Sequence, residues 1–386
     1  MQKLRFLLLA LFTSFSFISS AQFTVYGTVL DSTTREPLGS ASVFCQNTTL
    51  GTATNKQGEF SLQLKSGGYD LIFTYTGYQT QTIRITGDVT KFEILMIKED
   101  KSLGEVVIKS SNEVKDGWEK YGSFFLENFV GSTPNAAQCV LQNPEVLKFY
   151  FLKKSNKLRV LATEPLQIAN KALGYNLRYQ LDSFVYFYNT DINSYRGYCL
   201  YSEMEGTDSL RRVWSSNRMK AYYGSKLQFM RSYYDSTLIE DGWNIDMLDE
   251  TDHTKFNRVK NVYDTSVYSE VILYPEITVM TSPEAPDSLP VPKVILDSAH
   301  ATMQVEFYYP RKISVTYTKK KPEPEYIKKF KLPKNVAVQI SYIDMSDGIA
   351  IKENGYYYDQ KDWINQGYWS WKNIADLLPY DYLPER

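Results

Sequence analysis

Two histidines and one dense acidic cluster are the residues whose types could support metal or acid–base chemistry. The cluster is "DMLDETDH" (Asp246–His253), in which Asp249, Asp252 and His253 could contact one cation. It lacks the central glycine and the terminal glutamate that a calcium-binding loop requires at fixed positions. We interpret the cluster as a solvated loop, with a weak calcium or zinc site as the alternative. His300 is interpreted as structural, so no metal ligand is predicted.

The motifs of the common hydrolases are missing from the sequence. It contains no GxSxG or HExxH segment and no cysteine–histidine arrangement, which are the usual parts of serine, metallo- and cysteine hydrolases. Paired carboxylates could serve a glycosidase, but no spacing singles out a pair among 44 acidic residues. We predict no catalytic residue, no cofactor and no enzymatic activity. A hydrolase that acts on a glycan or peptide through acidic residues is the alternative.

The segment "NRMKAYYGSKLQFMRSYYD" carries the candidate ligand-binding residues. Tyrosine and arginine together supply contact area and hydrogen bonds. Apolar spacing predicts one helix that continues through Gly224, with Ser215 or Ser216 as its N-cap. We favour a core helix whose tyrosine hydroxyl groups reach the surface, with a ligand-facing surface as the alternative. The candidate ligand-facing residues are Arg218, Tyr222, Tyr223, Arg231 and Tyr234.

Two other segments have an ordinary structural interpretation. "TKKKPEPEY" (Thr318–Tyr326) is predicted to be a solvated loop or hairpin tip. "GYWSW" (Gly367–Trp371) could stack on a sugar ring, but we favour aromatic packing that anchors a short terminal helix.

The N-terminus has the pattern of a secretory signal peptide over residues 1–21. Lys3 and Arg5 precede an apolar stretch, and small residues lead to a cleavage site after Ala21. We therefore expect an exported protein of the periplasm, outer membrane or cell surface, and not an integral membrane protein after cleavage. The 43 basic residues nearly balance 44 acidic ones, which does not favour nucleic acid as a partner.

Residues 22–110 are predicted to form a β-sandwich, because short alternating segments are separated by turn residues. In "TNKQGEFSLQL", Asn55 and Gly58 suit a tight turn, and Phe60, Leu62 and Leu64 then face a core. The predicted strands are Phe23–Leu30, Ala41–Asn47, Glu59–Leu64, Tyr69–Thr76, Gln81–Ile85 and Lys91–Ile97.

This region resembles the carboxypeptidase regulatory-like domain, a prealbumin-like, Ig-like sandwich of exported Bacteroidetes proteins that include TonB-dependent receptors. The resemblance runs from Phe23 to about Lys109 and implies a non-catalytic module. Asn55 stands where the family usually has aspartate. "LGEVVIKS" (Leu103–Ser110) resembles the segment that follows the module in the receptors. The positions that carry the resemblance are Gly27, Asp31, Pro37, Leu38, Ala41, Val43, Gly51, Thr52, Gly58, Phe60, Gly77 and Tyr78.

Residues 111–386 are predicted to form an α+β domain with a large antiparallel sheet, so the whole chain is mainly β. A helix is expected to end near Gly131, and a hairpin to turn at Lys153–Asn156. An oxidising compartment would allow Cys139 to pair with Cys199, with Cys45 buried in a strand. The region resembles an uncharacterised partner domain that follows the regulatory-like module in exported Bacteroidetes proteins, which implies no reaction.

These expectations favour a non-enzymatic exported envelope protein that binds an envelope partner or a glycan. Besides the hydrolase, the sequence leaves open an accessory subunit of a TonB-linked uptake system.

Overall fold

The computed structural model describes residues 22–85, 91–99, 112–248, 260–263, 293–297, 302–309, 312–358, 360 and 363–385. The strands are β1 (Gln22–Asp31), β2 (Ser42–Cys45), β3 (Gly51–Ala53), β4 (Glu59–Lys65), β5 (Asp70–Thr74), β6 (Gln81–Arg84), β7 (Lys91–Met96), β8 (Cys139–Leu141), β9 (Leu147–Leu152), β10 (Lys157–Ala162), β11 (Leu166–Asn170), β12 (Tyr175–Phe187), β13 (Ile192–Glu203), β14 (Trp243–Met247), β15 (Lys260–Tyr263), β16 (Lys293–Asp297), β17 (Thr302–Phe307), β18 (Ile313–Tyr317), β19 (Gln339–Met345), β20 (Ile349–Ile351) and β21 (Trp363–Gly367). The helices are α1 (Gly117–Phe129), α2 (Asp208–Tyr222), α3 (Lys226–Tyr234), α4 (Leu238–Asp241), α5 (Pro324–Lys329) and α6 (Tyr368–Trp371). The chain is mainly β, as the sequence predicts.

Strands β1 to β7 form two sheets that pack face to face. One sheet has the order β4-β1-β7 and the other β3-β2-β5-β6. Side chains from both sheets, among them Val25, Phe60 and Phe73, fill one core, since alternate residues of each strand point inward. The predicted prealbumin-like sandwich is confirmed. Strand β3 was not predicted from the sequence.

The turn before β4 forms as its residue types predict. The Gly58 amide donates to the Asn55 carbonyl at 2.9 Å, and the Asn55 side-chain oxygen accepts from the Glu59 amide at 2.9 Å. Gly58 has a φ of +73°, and a Cβ there would lie 2.6 Å from the Val29 carbonyl oxygen. Only glycine satisfies both constraints without strain, and β4 then alternates exposed and buried residues.

The second region is built on a large sheet. Its order is β14-β18-β19-β21-β15-β13-β12-β10-β9, and β11 and β8 extend from β12. The pairs are antiparallel except β13 with β15, which is parallel, so the predicted large antiparallel sheet is confirmed with one exception. Helix α1 packs on this sheet through Phe125 and Phe129, and ends where Gly131 takes a φ of +123°.

The cysteines do not form the pair considered from the sequence. Cys45, Cys139 and Cys199 are all free thiols. Strand β8, with Cys139, is separated from β13, with Cys199, by β11 and β12. Three strand spacings are about 14 Å, whereas a disulfide needs Cα atoms within about 7 Å. The pairing is therefore wrong, while Cys45 lies buried in β2 as expected.

The predicted single helix around Gly224 is wrong, because the chain breaks into α2 and α3 at this residue. Gly224 has a φ of +88°, and a Cβ there would overlap the Gln339 side-chain oxygen. The N-cap prediction is also wrong. Thr207 caps α2 and Ser225 caps α3, where its hydroxyl accepts from the Gln228 amide at 3.1 Å.

The sandwich and the second region are joined by main-chain hydrogen bonds. The Asn47 amide donates to the Cys199 carbonyl at 2.8 Å, and the Tyr201 amide donates to the Thr48 carbonyl at 2.9 Å. The Tyr380 amide donates to the Asn47 carbonyl at 2.8 Å. The Asn47–Thr49 turn therefore continues the backbone pairing of β13.

A second set of contacts joins the two regions through one asparagine. The Asn354 side chain accepts from the Gly68 amide at 3.0 Å and donates to the Gly68 carbonyl at 3.1 Å. Beside it, the buried Tyr356 hydroxyl donates to Asp70 at 2.6 Å. Such paired, shielded polar contacts fix orientation as well as adding stability.

Candidate functional site

A cavity of about 110 Å³ lies where the sandwich meets the two hydrophobic cores of the second region. We call it the junction cavity. Its volume is below the roughly 150 Å³ of an apolar protein cavity that holds benzene, so it has room for at most one small ring. The residues that define it here are Asn47, Tyr223, Lys226, Tyr357, Trp369 and Leu378.

The aromatic wall of the junction cavity is held in place by hydrogen bonds. The Trp369 indole nitrogen donates to the Gly224 carbonyl at 2.9 Å, and the Trp369 main-chain amide donates to the Ser341 hydroxyl oxygen at 3.1 Å. The Trp369 ring also packs against Phe229 and Trp243, at centroid distances of 5.2 and 5.9 Å. This wall is therefore preformed.

Lys226 places an amine in the junction cavity. It is the first residue of α3, directly after the Ser225 cap. Its Nζ donates to the Tyr357 hydroxyl at 2.6 Å and lies 4.9 Å from the centre of that ring. Burial lowers the pKa of Lys226 to about 7, because a desolvated amine favours its neutral form. Near neutral pH the charged and neutral forms of the Lys226 amine are therefore both populated.

Three further lysines line the cavity, and two of them, Lys320 and Lys372, belong to a charged network. Glu323 lies 3.0 Å from the Lys372 amine and 3.7 Å from the Lys320 amine, and it also accepts from the Tyr368 hydroxyl. Burial alone would raise the pKa of Glu323, but these partners lower it below its ordinary value. Lys372 also lies 3.5 Å from Asp376.

Lys320 ties this network to the end of α2. Its amine donates to the Lys220 carbonyl at 2.7 Å, one of the carbonyls that a helix C-terminus leaves without an intrahelical partner. Burial lowers the pKa of Lys320, against the opposing effect of Glu323. The prediction that Thr318–Tyr326 is a solvated loop is therefore only partly right: Lys319, Lys321 and Glu325 are exposed, but Lys320 and Glu323 are partly buried and α5 begins at Pro324.

The arginines predicted to face a ligand instead hold the main chain. Arg218 donates to the Leu173 carbonyl at 2.6 Å and pairs with Glu203 at 2.7 Å. Arg231 is buried and donates to the Asn354 and Tyr380 carbonyls at 3.1 and 2.9 Å. Each guanidinium thus meets backbone oxygens that burial would otherwise leave unsatisfied.

Two of the three candidate tyrosines lie at or beside the junction cavity, with different exposures. Tyr222 is buried, with its ring centre 5.5 Å from that of Tyr223 and 5.6 Å from the Arg231 guanidinium. Tyr223 is 43% exposed and lines the junction cavity. Tyr234 is partly buried at the end of α3. The structure brings Tyr222, Tyr223 and Arg231 together, and places Arg218 beside a separate cleft formed with the C-terminal segment.

Other predicted features have mixed outcomes. The aromatic packing of "GYWSW" is confirmed, because Tyr368, Trp369 and Trp371 are buried. His300 and the acidic candidates Asp249, Asp252 and His253 lie outside the described residues.

Sequence reasoning missed the lysines of the junction cavity. Lys226, Lys320 and Lys372 come from three distant segments, and lysine usually indicates a solvated surface. The available signals were the Gly-Ser pair before Lys226, which suits a helix end followed by an N-cap, and the i,i+4 spacing of Lys372 and Asp376.

Comparisons with known proteins concern mainly the N-terminal region. Residues 25–108 match the CarboxypepD_reg-like domain. The chain is 36% identical over 95 residues to the TonB-dependent receptor SusC of Bacteroides thetaiotaomicron, covering 24% of this chain and 9% of the receptor. It is 33% identical over 113 residues to the TonB-dependent receptor P39 of Formosa agariphila, covering 29% and 11%. The matched region thus spans about a tenth of each receptor.

A solved structure of a protein of unknown function from Bacteroides fragilis NCTC 9343 aligns with 42% of this chain and 65% of its own, at 13% identity and a TM-score of 0.17. Within the described ranges, no helix has both the length and the apolar character needed to cross a membrane. The sandwich geometry and the family match agree, and the chain carries an N-terminal CarboxypepD_reg-like domain at residues 25–108.

Proposed function

We propose that the protein is a non-enzymatic cell-envelope protein. The CarboxypepD_reg-like domain is a docking module held rigidly against the second region, which binds an envelope partner or glycan through the junction cavity. The observation that carries this proposal is the position of the cavity, where Asn47 of the sandwich meets a preformed aromatic wall and partly buried amines. Concave, largely apolar sites with a few convergent polar groups are the usual form of small-ligand sites.

The carboxylates at the cavity support binding over hydrolysis. Glu323 and Asp376 both lie beside Lys372, and the pKa of Glu323 is lowered. A glycosidase needs one carboxylic acid whose pKa is raised so that it can donate a proton. The lowered pKa of Glu323 is the opposite of that requirement.

The test is binding of purified envelope glycans and envelope proteins to the chain from residue 22 onward, measured by calorimetry. The variant A221F places a ring in the cavity, since Ala221 lines it; we expect at least a tenfold loss of affinity. S209F introduces the same ring in place of a small uncharged side chain at an exposed position of the same helix and should bind normally. The proposal is wrong if no envelope component binds, or if A221F binds as the wild type does.

The family match favours a second candidate, an accessory subunit of a TonB-linked uptake system. Two relatives that share the N-terminal region are TonB-dependent receptors. Co-purification of the tagged chain with such a receptor from the native membrane would support this role, and its purification without a receptor would contradict it.

A further inference from the structure

We infer that the junction cavity takes a compact organic anion, namely a carboxylate carried on a single six-membered ring. This inference rests on the proposed function, because it names the class of ligand for the same site.

The first step is the balance of charges. Among the described residues that line the cavity, four are lysines and one is an acid, Asp376. The lysines come from both ends of the α2–α3 break and from two distant segments, and they are Lys220, Lys226, Lys320 and Lys372. Adding the neighbouring Glu323 still leaves more amines than carboxylates. A cationic ligand would meet net repulsion, and an anion would meet net attraction.

The second step is that the protein's own acids are already engaged. Asp376 accepts from the Thr133 hydroxyl at 2.7 Å and from the Asn135 amide at 2.9 Å, and it lies 3.5 Å from Lys372. The Glu323 carboxylate accepts hydrogen bonds from the Tyr368 hydroxyl and the Lys372 amine. These acids are fixed in place, so a ligand carboxylate would add to the network around the amines and would not need to displace them.

The third step is shape. The remaining wall is apolar and aromatic, formed by Leu227, Tyr357, Trp369 and Leu378. A volume of about 110 Å³ limits the enclosed part of a ligand to one small ring and excludes a bulky polyanion. Tyr223 and Lys220, which line the cavity, are exposed, so a carboxylate on the ring could lie at the cavity mouth. Aromatic faces bind both sugar rings and aryl rings, and partial burial strengthens the attraction between an amine and a carboxylate relative to water.

The fourth step is the placement of Lys226. Its amine sits against the Tyr357 hydroxyl at 2.6 Å, at the start of α3, where the helix dipole also favours an anion. A carboxylate beside Lys226 would therefore receive a charge-assisted hydrogen bond, which is stronger than a neutral one.

The experiment titrates the chain from residue 22 onward with two matched pairs of probes: glucuronate with glucose, and benzoate with benzyl alcohol. We expect at least one acid to bind tenfold more tightly than its neutral partner. Binding of glucuronate would identify an acidic sugar as the ligand class, and binding of benzoate would identify an aryl acid. K226M should reduce binding of the acid at least tenfold, K226R should retain most of it, and K154M, at an exposed hairpin turn, should leave it unchanged.

Equal affinity for the acid and neutral probes would overturn the inference, as would binding of neither acid, or acid binding that K226M does not alter. If K226M does not fold, the difference within each pair on the wild-type protein decides the question. A neutral ligand that binds the wild type and is lost in A221F would overturn the anion preference while leaving the proposed function intact.

Discussion

The indole nitrogen of Trp369 donates a 2.9 Å hydrogen bond to the carbonyl oxygen of Gly224. This bond links the break between two helices to the aromatic wall of the junction cavity. The Gly224 amide is also satisfied, since it donates to the Gln228 side chain at 2.8 Å. These two hydrogen bonds therefore offset part of the free energy lost where the helix is interrupted, and they also shape the junction cavity.

G224A should therefore destabilise the protein and disturb the cavity. Alanine at a φ of +88° is strained, and its Cβ would overlap the Gln339 side chain, so we expect a loss of about 3 kcal/mol in the free energy of unfolding. G77A is the control, because Gly77 has a φ of +81° with open space around it and should lose about 1 kcal/mol. Urea unfolding measures both, and equal losses would contradict the packing argument.

N354A should loosen the contact between the two regions. The change removes two hydrogen bonds to the Gly68 backbone and one from the Tyr356 amide, and we expect a loss of about 2 kcal/mol. The amide of Gly68 should then exchange its hydrogen faster. N189A removes an asparagine at an exposed turn and should leave exchange at Gly68 unchanged; unchanged exchange in N354A as well would refute the prediction.

K226M should stabilise the protein more at pH 6.5 than at pH 9. The pKa of Lys226 is about 7 in the folded state and about 10.4 in an unfolded chain. Below pH 7 the folded protein carries the full cost of burying the charge, and this cost falls as the pH rises from 7 toward 10.4. The difference between the two pH values should be about 2 kcal/mol, measured by urea unfolding of both proteins. An equal effect at both pH values would contradict the lowered pKa.

The three cysteines should be reduced and unreactive in the folded protein. Burial raises the pKa of Cys139 to about 12 and raises those of Cys45 and Cys199 further, so little thiolate exists at pH 8. Alkylation should be slow in the native state and should reach all three thiols after unfolding. A crosslinked peptide containing Cys139 and Cys199 in a non-reducing digest would contradict the strand order.

Much of the sandwich could be predicted because its strands are buried on one face. In β4, Phe60, Leu62 and Leu64 alternate with exposed residues, which is the pattern that the period of a strand imposes. Strand β3 has only three residues, too few for a period to emerge. Among the family positions, Asp31 holds the loop after β1: it accepts from the Thr33 and Thr34 amides and from the Tyr78 hydroxyl.

The site was harder to predict because its geometry depends on tertiary contacts. The apolar spacing on either side of Gly224 is helical, but the helix ends there because Gly224 takes a φ of +88°. Gln339 and Tyr317, which lie far along the chain, leave no room for a Cβ at this position. Arg231 was predicted to face a ligand, but it satisfies backbone carbonyls of two other segments. These partners, the Asn354 and Tyr380 carbonyls, lie more than 100 residues along the chain, so the sequence around Arg231 does not indicate them.

The Asn47–Thr49 turn has a consequence for how the chain can be divided. Strand β15 covers Ile192–Tyr195 of β13, while Thr48 covers β13 near Leu200. A fragment lacking the sandwich would present bare amides and carbonyls at that stretch, which invites strand addition between molecules. Replacing the sandwich with another domain would therefore require a new segment that pairs with this stretch of β13.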